Sequence, residues 1–101
     1  MLIPTRNILK RVLALQLAGT RGGPVRLQIL LLLDAKPRNI NEIAKRFGLD
    51  YKTVQHHIRV LQKSDLIASS HRKYGNTYTL STLLKSNKDI LKEIMNMGKS
   101  R

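Results

Sequence analysis

Between Tyr51 and Lys63, a 100° step per residue gathers Lys52, Gln55, His56, Arg59 and Lys63 on one side and Val54, Ile58 and Leu61 on the other. The first set is rich in hydrogen-bond donors, which is the chemistry that recognises nucleic acid. Arg59 can take guanine bidentately, Gln55 can pair with adenine, and Lys52 and Lys63 can meet phosphates. Tyr51 and Thr53, in the first turn, can reach phosphate through their hydroxyls. A second cationic group, His71-Arg72-Lys73-Tyr74, puts two fixed charges and an aromatic ring on a small turn. That suits a duplex backbone or minor groove, with Arg72 and Lys73 ahead of Tyr74, whose ring has inward packing as an alternative. Each group also has a plain reading as solvated polar surface. Composition favours recognition: 19 Lys and Arg against 6 Asp and Glu give +13 over 101 residues, with a pI of about 10.9, a balance that attracts polyanions.

Other chemistry finds little support. His56 and His57 look like a metal pair, but adjacent helical residues diverge by about 100° and cannot chelate one ion; His57 is expected at the edge of the core. The chain has no cysteine, so it can form neither a thiolate site nor a disulfide. Its six acids are scattered and form no carboxylate pair, and no Ser/His combination has an orienting partner. Neither catalysis nor any cofactor or metal is expected. Gly19-Thr20-Arg21-Gly22-Gly23 follows no strand and precedes no Lys-Ser/Thr, so it is not a phosphate loop. It reads as a flexible joint, or else as a place where Arg21 and Arg26 meet an anion at the helix beginning with Pro24. The start, Met1 to Arg6, lacks the features of a secretory signal. The longest apolar run, Ile29 to Leu33, is five residues against the roughly 20 of a membrane span. A cytoplasmic protein with no membrane partner is expected.

The elements that must hold these groups follow from periodicity and caps. Thr5 can cap a helix to about Ala18, with apolar Ile8, Leu9, Val12, Leu13 and Leu15. A helix from Pro24 to Ala35 is apolar nearly all round, so something must pack on its back. Asn39 with Glu42 forms a capping box for a short helix whose stripe is Ile40, Ile43, Ala44 and Phe47. Gly48 ends it, and Asp50 caps the helix from Tyr51 to about Lys63. Leu66–Ser70 and Thr77–Leu80 read as a hairpin around a cationic tip, 71–76, where Gly75-Asn76 can take positive φ. Ser81 or Ser86 starts a last helix to about Met97, carrying Ile90, Leu91, Ile94, Met95 and Met97.

This order is a winged helix-turn-helix: mainly α with a small β-hairpin and extra helices at both ends. The turn has a specific spacing, Ala44, Gly48 and Val54, in which a small residue, a left-handed turn and a buried branch set the angle between two helices. One domain spans 1–101: an N-terminal helix (1–19), a winged core (24–80) and a C-terminal helix (81–101). A core this small needs helix packing or dimerisation to support it. Leu9, Val12, Leu13, Ile90, Leu91 and Ile94 on the terminal helices need burial, either between two subunits or against their own subunit's apolar helix.

The run Leu49-Asp50-Tyr51-Lys52-Thr53-Val54-Gln55-His56-His57-Ile58-Arg59-Val60-Leu61, with Leu66-Ile67 and Tyr74-Gly75-Asn76-Thr77-Tyr78-Thr79-Leu80, resembles the ArsR-type winged-helix regulators. Gly22-Gly23-Pro24-Val25-Arg26-Leu27-Gln28-Ile29-Leu30 is similar to the archaeal branch. The resemblance implies a homodimeric, sequence-specific repressor of transcription whose terminal helices form the dimer interface. Two departures matter. The cysteines of the metal-sensing members are missing, so arsenic or cadmium sensing does not transfer. Asp65 stands where Gly is usual, a left-handed position that Asp tolerates. The expectation is therefore a homodimeric regulator on double-stranded DNA. The alternatives are an architectural protein that coats DNA without sequence preference, and a winged helix that contacts protein or RNA.

Overall fold

The structure, a computed structural model, describes residues 6–72 and 75–99, with side chains at 6–70 and 75–96. Its elements are α1 (Arg6–Leu17), α2 (Gly23–Ala35), α3 (Ile40–Phe47), α4 (Tyr51–Lys63), β1 (Ile67–Arg72), β2 (Gly75–Leu80), α5 (Thr82–Lys85) and α6 (Lys88–Lys99). The arrangement is the expected winged helix-turn-helix. Thr5, the expected cap of α1, lies outside the described residues.

The turn forms as its residue types dictate. The Asn39 side chain accepts from the Glu42 amide at 2.8 Å while the Glu42 carboxylate accepts from the Asn39 amide at 2.9 Å, closing two of the donors that a helix start leaves open. Gly48 sits at φ +67°, and its N–H returns to the Ala44 carbonyl. Asp50 caps α4 by accepting from the Thr53 amide at 3.3 Å. Asp65, at φ +57°, holds the left-handed position after α4.

The hairpin runs further toward its tip than expected. β1 and β2 pair antiparallel from Ile67 opposite Leu80 to Arg72 opposite Gly75, so 71, 72, 75 and 76 are ladder positions. Backbone pairing needs no apolar side chain, so the polar end of a hairpin carries little sequence signal. Arg38, expected in a plain connector, pairs with Tyr78 on the other side of β2: N to O 3.1 Å, and Tyr78 N to Arg38 O 2.8 Å.

The single C-terminal helix becomes two. Ser81 Oγ accepts from the Leu84 amide at 3.2 Å to start α5. Asn87 then donates from its side chain to the Leu83 carbonyl at 2.9 Å, and α6 begins beyond it. Both candidate serines bound α5, one at each end.

One core runs through all layers. Leu9, Leu13 and Leu17 of α1, at four-residue spacing, pack with Ile29, Leu30 and Leu33 of α2 and with Ile90, Leu91 and Ile94 of α6. Five of the six residues expected between subunits, namely Leu9, Leu13, Ile90, Leu91 and Ile94, are thus buried inside one subunit, and Val12 is partly buried. Conversely Ile8 and Leu15, counted in the inner stripe of α1, are 51% and 63% exposed. The inner stripe is the straight row 9–13–17, and 8–12–15 is the neighbouring row, a distinction that an apolar-rich helix hides in its sequence. Exposed ion pairs, Arg6–Asp89 at 2.6 Å and Lys10–Glu93 at 3.3 Å, fasten α1 to α6, and Lys88–Asp34 at 3.0 Å joins α6 to α2. Each contributes little by itself.

α2 enters this core at closest approach to the end of α1. A Cβ on Gly23 would stand 2.0 Å from the Leu17 carbonyl oxygen, whereas one on Gly48 would meet nothing within 4 Å. Gly23→Ala is therefore expected to destabilise by about 1–3 kcal/mol through overpacking, and Gly48→Ala by about 1–2 kcal/mol through its left-handed backbone alone. Denaturant midpoints of the two variants check this, and a neutral Gly23→Ala would contradict the α1–α2 approach.

Candidate nucleic-acid interface

α4 presents the two faces that its sequence requires. Val54, His57, Ile58 and Leu61 are buried, while Tyr51, Lys52, His56, Arg59 and Lys63 are exposed and Thr53 and Gln55 are half-buried. Among the described residues no carboxylate pairs with Lys52, Arg59 or Lys63; the three ion pairs present join the α1, α2 and α6 side. The cations of α4 are thus uncompensated locally, and an external polyanion meets their full charge.

Two expected contacts need amendment. The Thr53 hydroxyl donates to the Asp50 carboxylate, and those hydrogen bonds hold the Asp50 carboxyl below its usual range. Thr53 therefore serves the helix cap, and its donor is engaged. Arg72 belongs to β1 rather than to a loop; its side chain, and the whole of Lys73 and Tyr74, lie outside the described residues.

A polar cleft of about 200 Å³ opens between the start of α3 (Asn39, Ile40, Asn41), Tyr51 at the start of α4, and Gly75, Asn76 and Tyr78 of β2. It joins the helix-turn-helix to the wing. Sequence reasoning took Asn39 for a cap and gave Asn41 no role. Only the hairpin register, which brings Gly75 and Asn76 beside the helix starts, reveals the cleft.

Behind α4 lies a polar cluster that patterning did not reveal. Arg26 of α2 is 5% exposed and His57 7%. The Arg26 guanidinium donates from Nε to the Gln16 carbonyl at 3.2 Å, to the Thr20 hydroxyl, and through a second terminal nitrogen to His57 Nδ1 at 3.1 Å. Arg26 is therefore not free to meet an anion at the surface, and the joint 19–23 is packed against it. With Nδ1 accepting, the His57 proton is assigned to Nε2. Burial pushes the His57 imidazole down from its ordinary value, and Arg26 and then His56 push it the same way; burial also lowers Arg26. His57 had been expected at the core edge, but its partner had not: an Arg in an apolar helix gives a sequence no sign of what it will face.

Residues 23–69 match the sequence model of the family described as bacterial regulatory protein, arsR family. An uncharacterized HTH-type transcriptional regulator of the archaeon Methanocaldococcus jannaschii is 33% identical over 61 residues, covering 60% of this chain and 64% of the relative. The match therefore spans a little under two thirds of that protein's length. Among solved structures, HlyU from Vibrio cholerae superposes with a TM-score of 0.66 at 22% identity, covering 93% of this chain and 94% of that one. The homodimeric winged helix-turn-helix DNA-binding domain of a possible ArsR-family transcriptional regulator from Mycobacterium bovis gives 0.63 at 18%, covering 92% and 82%. At these identities the solved structures establish the fold.

Because the native His57 binds its proton more weakly than the unfolded chain does, the unfolded state holds more protons once pH falls below the ordinary value of 6.5. Stability is then expected to drop on acidification through that value. His57→Gln keeps an acceptor for Arg26 and removes the titration, so urea midpoints between pH 7.5 and pH 5 should fall less steeply in the variant. Parallel slopes would show that His57 does not titrate as its surroundings require.

Proposed function

We propose that this chain, which over residues 23–69 carries an ArsR-family helix-turn-helix domain, is a sequence-specific regulator of transcription on double-stranded DNA. We assign it to the cytoplasm and to repression. The observation that carries this reading is the uncompensated donor face of α4 on a helix-turn-helix whose every cap is satisfied. α4 lies in the major groove, with Arg59, Gln55 and His56 at base edges and Lys52, Lys63 and Tyr51 at phosphates. The wing, through Arg72, Lys73 and Tyr74, follows the backbone or minor groove. Among the described residues no helix is long and apolar enough to cross a membrane.

The active unit is a homodimer on a two-fold site with half-sites about one helical turn apart. The homodimeric state in the description of the Mycobacterium bovis domain supports this. So does α1, where exposed Ile8 and Leu15 flank half-buried Val12 in an apolar stripe at four- and three-residue spacing. Leu9, Leu13, Ile90, Leu91 and Ile94 serve the interface from beneath, by holding the terminal helices in place. The charge of +13 keeps one rival in view, a protein that coats DNA indifferently.

Fluorescence anisotropy separates the two readings, using the duplex upstream of the protein's own gene, a scrambled duplex of equal length and sites selected from random DNA, each titrated across salt. A specificity ratio of about 10³ or more supports the regulator; equal affinities with equal salt slopes for every duplex support coating. Arg59→Ala should relax base preference at one position by about 1–3 kcal/mol. Lys63→Ala and Lys73→Ala should weaken all sequences alike and reduce the salt slope by about one.

Light scattering should give the dimer mass for the parent chain, and Ile8→Asp with Leu15→Asp should give a monomer that stays folded, with a melting temperature that no longer depends on protein concentration. A parent monomer at micromolar concentration would remove the two-fold site from the proposal.

A further inference from the structure

The nearly all-apolar α2 is not covered on every side. Leu31 and Leu32 remain half-buried and Ala35 exposed, and with Phe47 at the end of α3 they floor an open groove of about 320 Å³, within the range of small-ligand sites. Arg38 and Arg46 stand at its edge. Among the described residues neither guanidinium has an ion-pair partner, and Arg38 Nε is buried without any hydrogen-bond acceptor.

The chain itself has almost nothing to supply. Of its six acids, Asp34 pairs with Lys88, Asp89 with Arg6 and Glu93 with Lys10, while Glu42 and Asp50 cap α3 and α4. Only Asp65 is left, and one carboxylate per copy cannot neutralise two guanidiniums. A second copy pressed on this groove would add its own pair of arginines to the first. A nucleic-acid backbone offers anions but no apolar body to cover Leu31, Leu32 and Phe47. The groove matches a molecule with both parts.

We propose that this groove binds a small amphipathic carboxylate, its apolar body on Leu31, Leu32, Ala35 and Phe47 and its carboxylate accepting from Arg38 and Arg46. A planar guanidinium suits a carboxylate through paired N–H donors. The main chain of Arg38 is also paired with Tyr78 of β2, so a ligand held there is connected through Arg38 to the strand that carries the wing. The binding does not depend on the DNA-recognition reading, and it is measured without DNA.

The experiment follows backbone amide resonances of the full-length ¹⁵N-labelled protein during titration with octanoate below its micelle concentration. Acetate, inorganic phosphate and octanol serve as parallel probes. Octanoate should saturate shifts at Leu31, Leu32, Ala35, Arg38, Phe47 and Tyr78, with acetate and phosphate leaving them in place and octanol binding about 10-fold more weakly. Arg46→Gln, an exposed position, should weaken octanoate about 10-fold and leave octanol unaffected. The proposal is overturned if acetate or phosphate moves the same amides as strongly, which would mark a general response of a cationic surface. Equal binding of octanol and octanoate overturns it as well, by leaving an apolar groove with no carboxylate recognition, and so do octanoate shifts that lie elsewhere.

Discussion

The Arg26 guanidinium is the constraint on which the arrangement of the helices turns. It is a cation in the interior with no carboxylate beside it, and its partners are a carbonyl of α1, a hydroxyl of the α1–α2 joint and an imidazole of α4. A charge so placed is tolerated only when its donors find acceptors in good geometry. All three acceptors must arrive together, which fixes α1 and α4 relative to α2. The close approach at Gly23 follows from the same demand, because α2 has to start hard against the last turn of α1 for the guanidinium to reach Gln16 and Thr20. Leucines alone would hold these helices together with less directional preference, since apolar contact is indifferent to small rotations.

Charge is distributed in a way that serves both stability and binding. Five of the six acids lie at helix starts or between α1, α2 and α6, where each has a structural partner, and Asp65 alone stands apart in the turn after α4. The cations of α4 therefore keep their field, and the fold needs no help from them. A basic surface of this kind raises encounter rates with DNA whether or not the sequence is specific. On the proposed reading, specificity has to come from the donor face of α4, whose orientation is set from behind by Val54, Ile58 and Leu61 and by His57 on Arg26.

What the sequence displayed most clearly was local. The capping box at Asn39 and Glu42, the left-handed Gly48, the cap at Asp50 and the period of α4 are interactions between residues a few positions apart, and each stands where spacing placed it. The resemblance over the turn and hairpin extended this to the fold. The illegible features are non-local: the Arg38–Tyr78 pair, the Arg26–His57 contact, and which of two adjacent apolar rows on α1 faces inward. None has a periodic signature, because each depends on what another element brings to it. The donor face of α4 was legible for a related reason: exposure on a helix is a local matter once its buried stripe is known.

The composition of α2 poses a problem that the fold answers in parts. A helix apolar nearly all round belongs in the middle of something, yet a chain of 101 residues has too little mass to surround one. Ile29, Leu30 and Leu33 face the core, and α1 and β2 cover further sides, which leaves Leu31, Leu32 and Ala35 as a strip that Phe47 of α3 flanks and no element fully covers. Closing that strip with another layer would have masked Arg38 and Arg46 at its edge, and burying two more cations without acids is a cost that this acid-poor sequence cannot offset. An open apolar strip beside unpaired arginines is thus the consequence of one surplus, cations over acids, acting on a domain too small to hide it.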